Sequence, residues 1–525
     1  MRPREVDFIL KNVKAYTVDQ AFGTATCLAV QGGRIAAAGP EREVLERCAA
    51  DRVVDGRGMP VYPGFMDPHS HLYNYAHTLR MADLTGAGTW KEAVARVVDQ
   101  QRRHPSPWAE GRGWDHTAWP GRAFPTRDLL DQAFPDQPVL LVRVDGHAAI
   151  ANGAALARAG VDERTRVDGG ELVQAAGRLT GLLIDNAIDL VRKSVPAPDR
   201  ETHERVLLQA QANCFAVGLT SVSDAGTDLE QALILEDMAR DGRLKLRVYV
   251  MLRPSEANFA HFITKGVLTG ERLTIRSIKL FADGALGSRG ALLLDPYQDD
   301  PGNRGLQLAA TEVLEDACRR AAAAGWQVNT HAIGDAAVRL MLDIYGRCLR
   351  PGNDARWRIE HAQIIHPDDL PRFGKLGVVP SVQTTHATSD MRWAEERLGP
   401  RVKWGYRYQE LLRQNGWLPN GSDFPVEAID PLLGFYAGVA RKDRRGWPEG
   451  GFQMENALTR EQALRGMTIW AARANFEEDG RGSLEPGKWA DFVMLDRDLM
   501  QVPEPELLSA RVLGTWVGGE QVYAR

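Results

Sequence analysis

TSVSDAG at 220–226, LRVYVML at 246–252, TIRSIKLFADG at 274–284, QVNTHAIGD at 327–335, RIEHAQ at 358–363, VVPSVQ at 378–383 and WLPNGSDFPV at 417–426 are strand-like apolar runs. Helix-like segments separate them. In TEVLEDACRRAAAAG (311–325) apolar Val313, Leu314, Ala317 and Ala321 recur at three- and four-residue spacing, the mark of one helix face. Repeated strand–helix alternation implies a parallel sheet with helices outside it. With VYPGFMD at 61–67 the strands number eight, which is what a (β/α)8 TIM barrel requires. The sequence therefore predicts an α/β chain whose barrel occupies residues 61–475.

Both ends of the chain read differently. VDFILKNVKAYTVD, TCLAVQGGRIAAAG and RVVDGRGMPVYPG near the start, and ADFVMLDRD and VLGTWVGGEQVYA near the end, are short β-prone runs broken by Gly, Asn and Asp turns. They predict one small β-sandwich assembled from residues 1–60 and 476–525. The stretch from about 80 to 205 interrupts the alternation and is rich in Pro, Gly and Trp, so it is expected to be an insertion after the first barrel strand. Loops after barrel strands build the active site, and a long one would make a substrate cover.

Composition narrows the class. The 525 residues carry 64 Lys+Arg against 69 Asp+Glu, a net charge of −5, which lacks the basic excess a nucleic-acid partner would need. With 44% hydrophobic and 25% charged residues the chain resembles ordinary globular proteins. No run approaches the ~18 apolar residues of a membrane span, and the first residues lack a signal-peptide core. The five cysteines are scattered, with no CxxC pair, as expected for a reducing cytoplasm. Any metal must have other ligands.

Those ligands stand at strand ends. In Pro63-Gly64-Phe65-Met66-Asp67-Pro68-His69-Ser70-His71, residues two apart share a side, so His69 and His71 converge while Ser70 turns away. Taken alone they could be two surface histidines. His331, His361 and Asp423, however, each close another apolar run, and a parallel barrel gathers all strand ends at one rim. Imidazole and carboxylate donors suit a divalent transition metal, zinc first. In Ile275-Arg276-Ser277-Ile278-Lys279-Leu280-Phe281, alternation puts Ile278 and Leu280 under the helices and Lys279 inside the barrel. A buried amine favours its neutral form, which can add CO2 to become a carbamate ligand; pairing with Asp283 is the alternative. Gly284, Gly287 and Gly290 lack GK[ST] and do not make a nucleotide loop. The mixed run Arg441–Arg445 reads as a solvated loop.

The segments PGFMDPHSH, DGHAAIAN, GLTSVSDAG, IKLFADGALGSRGALL, NTHAIGD, RIEHAQIIHPDDLPRFGKLGVVPSVQTTHATSDM, NGSDFPVE, ALRGMTIWAARANFEE and GSLEPGKWADFVMLDRD resemble, in order, the amidohydrolase superfamily and its N-substituted formamide deformylase-like (YtcJ-like) branch. The resemblance spans nearly the whole chain. It implies a metal-bearing barrel beside a β-sandwich, with His69, His71, carboxylated Lys279, His331, His361 and Asp423 holding one or two ions. One departure is Thr384, where the usual segment has proline. The implied chemistry is attack on a planar carbonyl by metal-bound hydroxide, with Asp423 as base and then acid. His147 and His386 would polarise the carbonyl or hold the oxyanion, or else serve as hydrogen-bonded structural histidines. Trp114, Asp115 and Trp119 lie in the expected cover, as substrate wall or as plain packing, and Arg289 is a candidate anion contact.

The leading expectation is hydrolysis of an amide or formamide-like C–N bond in a small-molecule substrate, in the cytoplasm, with no nucleic-acid or membrane partner and with a homodimer left open. A cyclic-amide hydrolase, esterase or deaminase would use the same metals. A non-catalytic ligand-binding barrel would have no need of all six ligands.

Overall fold

A computed structural model describes residues 3–116, 119–143, 146, 148–167, 170–196 and 198–525. Two compact units divide the chain, one of Met1–Tyr73 with Ala210–Arg525 and the other of Asn74–Gln209.

Seven parallel strands form the core of the first unit: β1 (Phe65–Ser70), β2 (Leu219–Thr227), β3 (Arg247–Leu252), β4 (Leu273–Phe281), β5 (Gln327–Ala332), β6 (Arg358–His361) and β7 (Val379–Ser381). They neighbour one another in that order in a single sheet. Every residue of β1 and β3 is buried, as a parallel strand covered on both faces requires. The helix Thr311–Ala324 buries Leu314, Ala317, Cys318 and Ala321, while Val313, expected on that face, is exposed.

The expected eighth strand is not a regular one. Pro419 and Pro425 offer no N–H, and Asp423 adopts φ +64°, outside the extended region. Residues 419–424 still bridge the two edges of the sheet. Val382 N donates to Pro419 O (3.1 Å), Gly421 N to Val382 O (2.9 Å), Asp423 N to His69 O and His71 N to Phe424 O (both 2.8 Å). The barrel closes through this irregular segment. Gly421 is required there, because a Cβ would lie 2.6 Å from Asp67 Oδ1 and 2.9 Å from His69 N.

Strands from both termini meet in one further sheet of eight. Its order runs Glu520–Ala524, Val512–Val517, Phe492–Leu495, Pro60–Pro63, Phe8–Tyr16, Thr24–Gln31 and Arg34–Gly39, with Val53–Asp55 beside Phe8–Tyr16. Phe8, Leu10, Leu28, Val30, Phe492 and Trp516 share its apolar core. A buried ion pair ties this sheet to the barrel: Arg247, at the start of β3, donates from Nε to Asp491 Oδ2 (2.6 Å) and from Nη2 to Asp491 Oδ1 (2.9 Å). Arg441, expected on a solvated loop, is instead fully buried, donating to Phe452 O and lying against the rings of Tyr408 and Phe452. Its aliphatic stem and planar head make it a packing residue.

The second unit holds a six-stranded sheet in the order Gly170–Ala175, Arg178–Asp185, Ala148–Ala151, Val139–Arg143, Ala109–Trp114 and Ala82–Asp83. Helix Trp90–Arg103 buries Ala93, Val94 and Val97 in the same cluster as Leu130, Leu141 and Ile150. Among the described residues no helix is long and apolar enough to cross a membrane.

Burial opposes ionisation of Asp491, but Arg247 outweighs it and holds the carboxyl below its ordinary range. Removing one partner of such a pair leaves a buried charge alone, at a cost of about 3–5 kcal/mol. Asp491→Asn should therefore lower the urea midpoint markedly; an unchanged midpoint would contradict the joint. In the wild type the contribution is complete above the ordinary carboxylate pKa of about 3.9 and is lost as pH falls through the lower folded value.

Candidate metal centre

The strand register sets the groups at one level. Lys279 on β4 pairs with Asn329 on β5, Phe281 with His331, His331 with Glu360 and Ala332 with His361. His69 lies near the end of β1 and His71 just beyond it, while His386 sits on the helix Thr384–Asp390 that follows β7. Their rings form a cluster. Centroids are 5.7 Å apart for His69–His71, 4.9 Å for His69–His361, 4.6 Å for His331–His361 and 5.6 Å for His361–His386.

Three of these imidazoles are oriented from behind. Nδ1 of His69 lies 2.5 Å from Glu360 Oε2, Nδ1 of His71 2.9 Å from Ala225 O, and Nδ1 of His361 2.7 Å from Gln383 Oε1. An oxygen in these roles accepts, so each Nδ1 carries the hydrogen and each Nε2 presents a lone pair. His71 Nε2 is 3.2 Å and His69 Nε2 3.5 Å from Asp423 Oδ1, and His386 Nε2 is 3.7 Å from Asp423 Oδ2. With the rings neutral, these Nε2 atoms and the carboxylate oxygens are all acceptors, and the Lys279 amine, 3.1 Å from His69 Nε2, is a donor among them. Asp423 Oδ1 and His386 Nε2 are buried with no hydrogen-bond partner. Such groups are costly unless a cation joins them.

The ligand atoms of His69, His71 and Asp423 lie within 4.8 Å of one another, and so do those of His361, His386 and Asp423. Burial opposes ionisation of Asp423, yet the imidazoles of His71, His69, His361 and His386 outweigh it and hold the carboxyl well below its ordinary range. His331 has Nε2 3.4 Å from Gly284 O, which leaves Nδ1 for the cluster; burial, then Lys279, pulls its pKa down to about 3. Both His361 (φ +72°) and Asp423 (φ +64°) adopt left-handed backbone, at about 1–3 kcal/mol each. The surrounding hydrogen bonds hold them there.

Lys279 is fully buried, with Nζ 3.1 Å from His69 Nε2 and 5.0 Å from the Phe281 ring centre. Burial lowers its pKa to about 8. Asp283 accepts backbone N–H groups of Leu292, Ile333 and Gly334, and burial pushes its carboxyl up to about 7.

Several supporting residues escaped the sequence reading. Glu360 is fully buried; burial opposes its charge, but His69, Arg358 and Lys279 hold its pKa at about 2. Arg358 in turn donates to Pro68 O (3.0 Å) and Ala474 O (2.7 Å). Asp67 accepts from His69 N (3.0 Å) and Ser422 Oγ (2.6 Å), joining β1 to the segment that carries Asp423. Alternation in Arg358-Ile359-Glu360 was the available signal, since it puts two charges at inward positions.

The other expected contacts are placed as follows. Arg289 forms a two-pronged pair with Asp299 (3.2 and 2.9 Å). Trp114 is fully buried in the second unit's own core, donating to Leu141 O, and Asp115 lies 2.6 Å from Arg143. Trp119 shares that core and donates to Ala87 O. His147 lies outside the described residues. Thr384 donates its backbone N–H to Asn420 Oδ1 (3.0 Å), a bond that proline could not make.

Comparison with known proteins places the chain in a family. Residues 52–523 match the amidohydrolase family. The chain is 33% identical over 538 residues to Protein LONG AFTER FAR-RED 3 of Arabidopsis thaliana, covering 98% of this chain and 91% of that one. It is 28% identical over 543 residues to N-substituted formamide deformylase of Arthrobacter pascens, covering 99% and 98%. Among solved structures, an uncharacterized metal-dependent hydrolase from Pyrococcus horikoshii has a TM-score of 0.80 at 30% identity, covering 95% of this chain and 99% of that one. A (β/α) barrel whose strand ends gather histidines around one aspartate, matched along its length in this way, belongs to the amidohydrolase family, in its YtcJ-like branch.

Proposed function

We propose that the protein is a metal-dependent hydrolase that splits a linear amide or N-substituted formamide at the C–N bond, giving a carboxylic acid and an amine. The convergence of imidazole lone pairs on one ionised, buried carboxylate carries this reading. His69, His71, Lys279, His331, His361 and Asp423 would hold one or two divalent ions, zinc being the first choice for these donors. Such an ion polarises a carbonyl oxygen and brings the pKa of water to about 7. The formamide class is supported by the likeness to N-substituted formamide deformylase. The same proposal includes the family's barrel-plus-β-sandwich architecture and a cytoplasmic small-molecule substrate.

The chain's own residues then handle protons. Asp423, ionised throughout the neutral range, takes one from the attacking water and returns it to the leaving nitrogen. His386, with Nε2 3.7 Å from Asp423 Oδ2, stands on the same side of the centre and is placed to receive negative charge that grows on the substrate oxygen. Glu360 keeps the His69 ring turned so that its lone pair stays in the site. The buried amine of Lys279 adds CO2, forming an N–C bond and releasing one proton, to give an anionic oxygen ligand.

Three outcomes are expected. Supplied with N-substituted formamides, linear amides, ring amides, esters and amino-heterocycles, the metal-loaded protein should release formate or carboxylate with amine from the first two classes; turnover confined to the others would overturn the substrate class. At saturating metal, Asp423→Asn should lower kcat about 10²–10⁴-fold, the range for a lost general acid–base group; kcat near wild type would sink its role. Metal-free protein reloaded in 13C-bicarbonate should show one carbamate NMR signal that Lys279→Ala lacks. Identical spectra for the two would refute the carbamate.

A further inference from the structure

We infer that a groove beside the end of β4 receives the acyl arm of the substrate, and that this arm is apolar and carries no negative charge. The inference rests on the hydrolase reading above and narrows it, from formamides, which have no acyl arm, to linear amides that have one.

The groove follows from how the outer layer packs. After β3 the chain makes only the short helical turns Glu256–Asn258 and Phe259–Ile263 before returning to β4. Between them and the helix Thr311–Ala324 a cavity of about 440 Å3 stays open. Phe259, Leu280, Leu314 and Ala317, all buried, form its floor. Phe281, Leu308 and Val313 stand at its edge, 39%, 52% and 61% exposed. Exposed apolar side chains gathered around a concavity of this size mark a ligand groove.

Phe281 joins the groove to the metal centre. It ends β4 in register with His331, and its ring lies 5.6 Å from the His331 ring and 5.0 Å from Lys279 Nζ. The same residue lines the groove. A chain that leaves the centre over Phe281 therefore meets apolar surface at once.

Barrel geometry decides which arm of the amide takes this path. The carbonyl carbon sends its oxygen, nitrogen and acyl substituent in three directions. Asp423, which returns the proton to the leaving nitrogen, stands in the segment that closes the barrel between β7 and β1, across from β4. With the nitrogen turned to Asp423 and the oxygen to His386, the acyl arm is left to run toward β4. The rim then selects by charge. Glu256, Glu312 and Asp316 face a single cation, Arg320, which already donates to both Glu256 oxygens (2.6 and 3.1 Å) and lies 3.8 Å from the Phe259 ring centre. An arm ending in a carboxylate would meet negative charge there, whereas a hydrocarbon arm gains by leaving water.

The test is isothermal titration of the zinc-loaded full chain with straight-chain hydroxamic acids, from acetohydroxamic to octanohydroxamic acid. The hydroxamate chelates the metal and the chain takes the place of the acyl arm. In the wild type Kd should fall about threefold per added methylene until the groove is filled; chains of the same length ending in a carboxylate should lose most of that gain. Val313→Asp changes an exposed helix position and should flatten the series, read as the ratio of octano- to acetohydroxamate affinity so that any general loss of binding cancels. A wild-type series of equal Kd, or the full chain-length gain in Val313→Asp, would overturn the inference while leaving the hydrolase reading intact. Hydroxamates that fail to bind at any length would overturn the metal-dependent reading and the inference with it.

Discussion

Hydrogen-bond acceptors that converge on a buried carboxylate are the constraint around which this protein is organised. His69, His71 and His361 each have Nδ1 on an oxygen behind the ring, so in their neutral form none has a donor left for Asp423. In a low-dielectric pocket such an assembly is unfavourable unless positive charge binds there. The rest of the site reads as provision for that charge. Glu360 gives His69 a negative partner, Arg358 balances Glu360, and Asp423 stays ionised among the imidazoles.

The barrel holds these groups in register, and its closure is part of the site. A regular eighth strand would place residue 423 in extended backbone; the observed φ of +64° comes with an irregular segment anchored at Val382 on one side and His69 on the other. Asp67 reinforces the same seam through Ser422, and Gly421 makes room for it. Regularity is given up where β1 meets β7, and the carboxylate is set there. Far from the mouth, the buried Arg247–Asp491 pair fastens the sheet of both termini to the base of β3.

Much of this was legible beforehand because it depends on period and position. Alternation between strand and helix specified the parallel sheet, and terminal β-prone runs on both sides of it marked strands that share one sheet. His69, His71, His331, His361 and Asp423 were readable because strand ends in a parallel barrel share a rim. What stayed hidden needed three-dimensional facts. The eighth run looked like a strand because its composition is apolar, while its prolines and the left-handed Asp423 break the ladder. Glu360 was hidden by the histidine next to it, although Arg358 two residues earlier shows the inward period. Arg441 looked solvated within a charged run, yet the rings of Tyr408 and Phe452 bury it. The link between His386 and His361 runs through the Gln383 side chain, which residue spacing does not disclose.

The most direct test is an anomalous-scattering map from a crystal of the wild-type chain grown with Zn2+ and recorded across the zinc absorption edge. The account predicts an edge-dependent peak at the barrel mouth, about 2.0–2.2 Å from the Nε2 atoms of His69 and His71 and from an oxygen of Asp423. A map with no peak among these residues, with the His69 and His71 rings hydrogen-bonded only to protein groups, would contradict it.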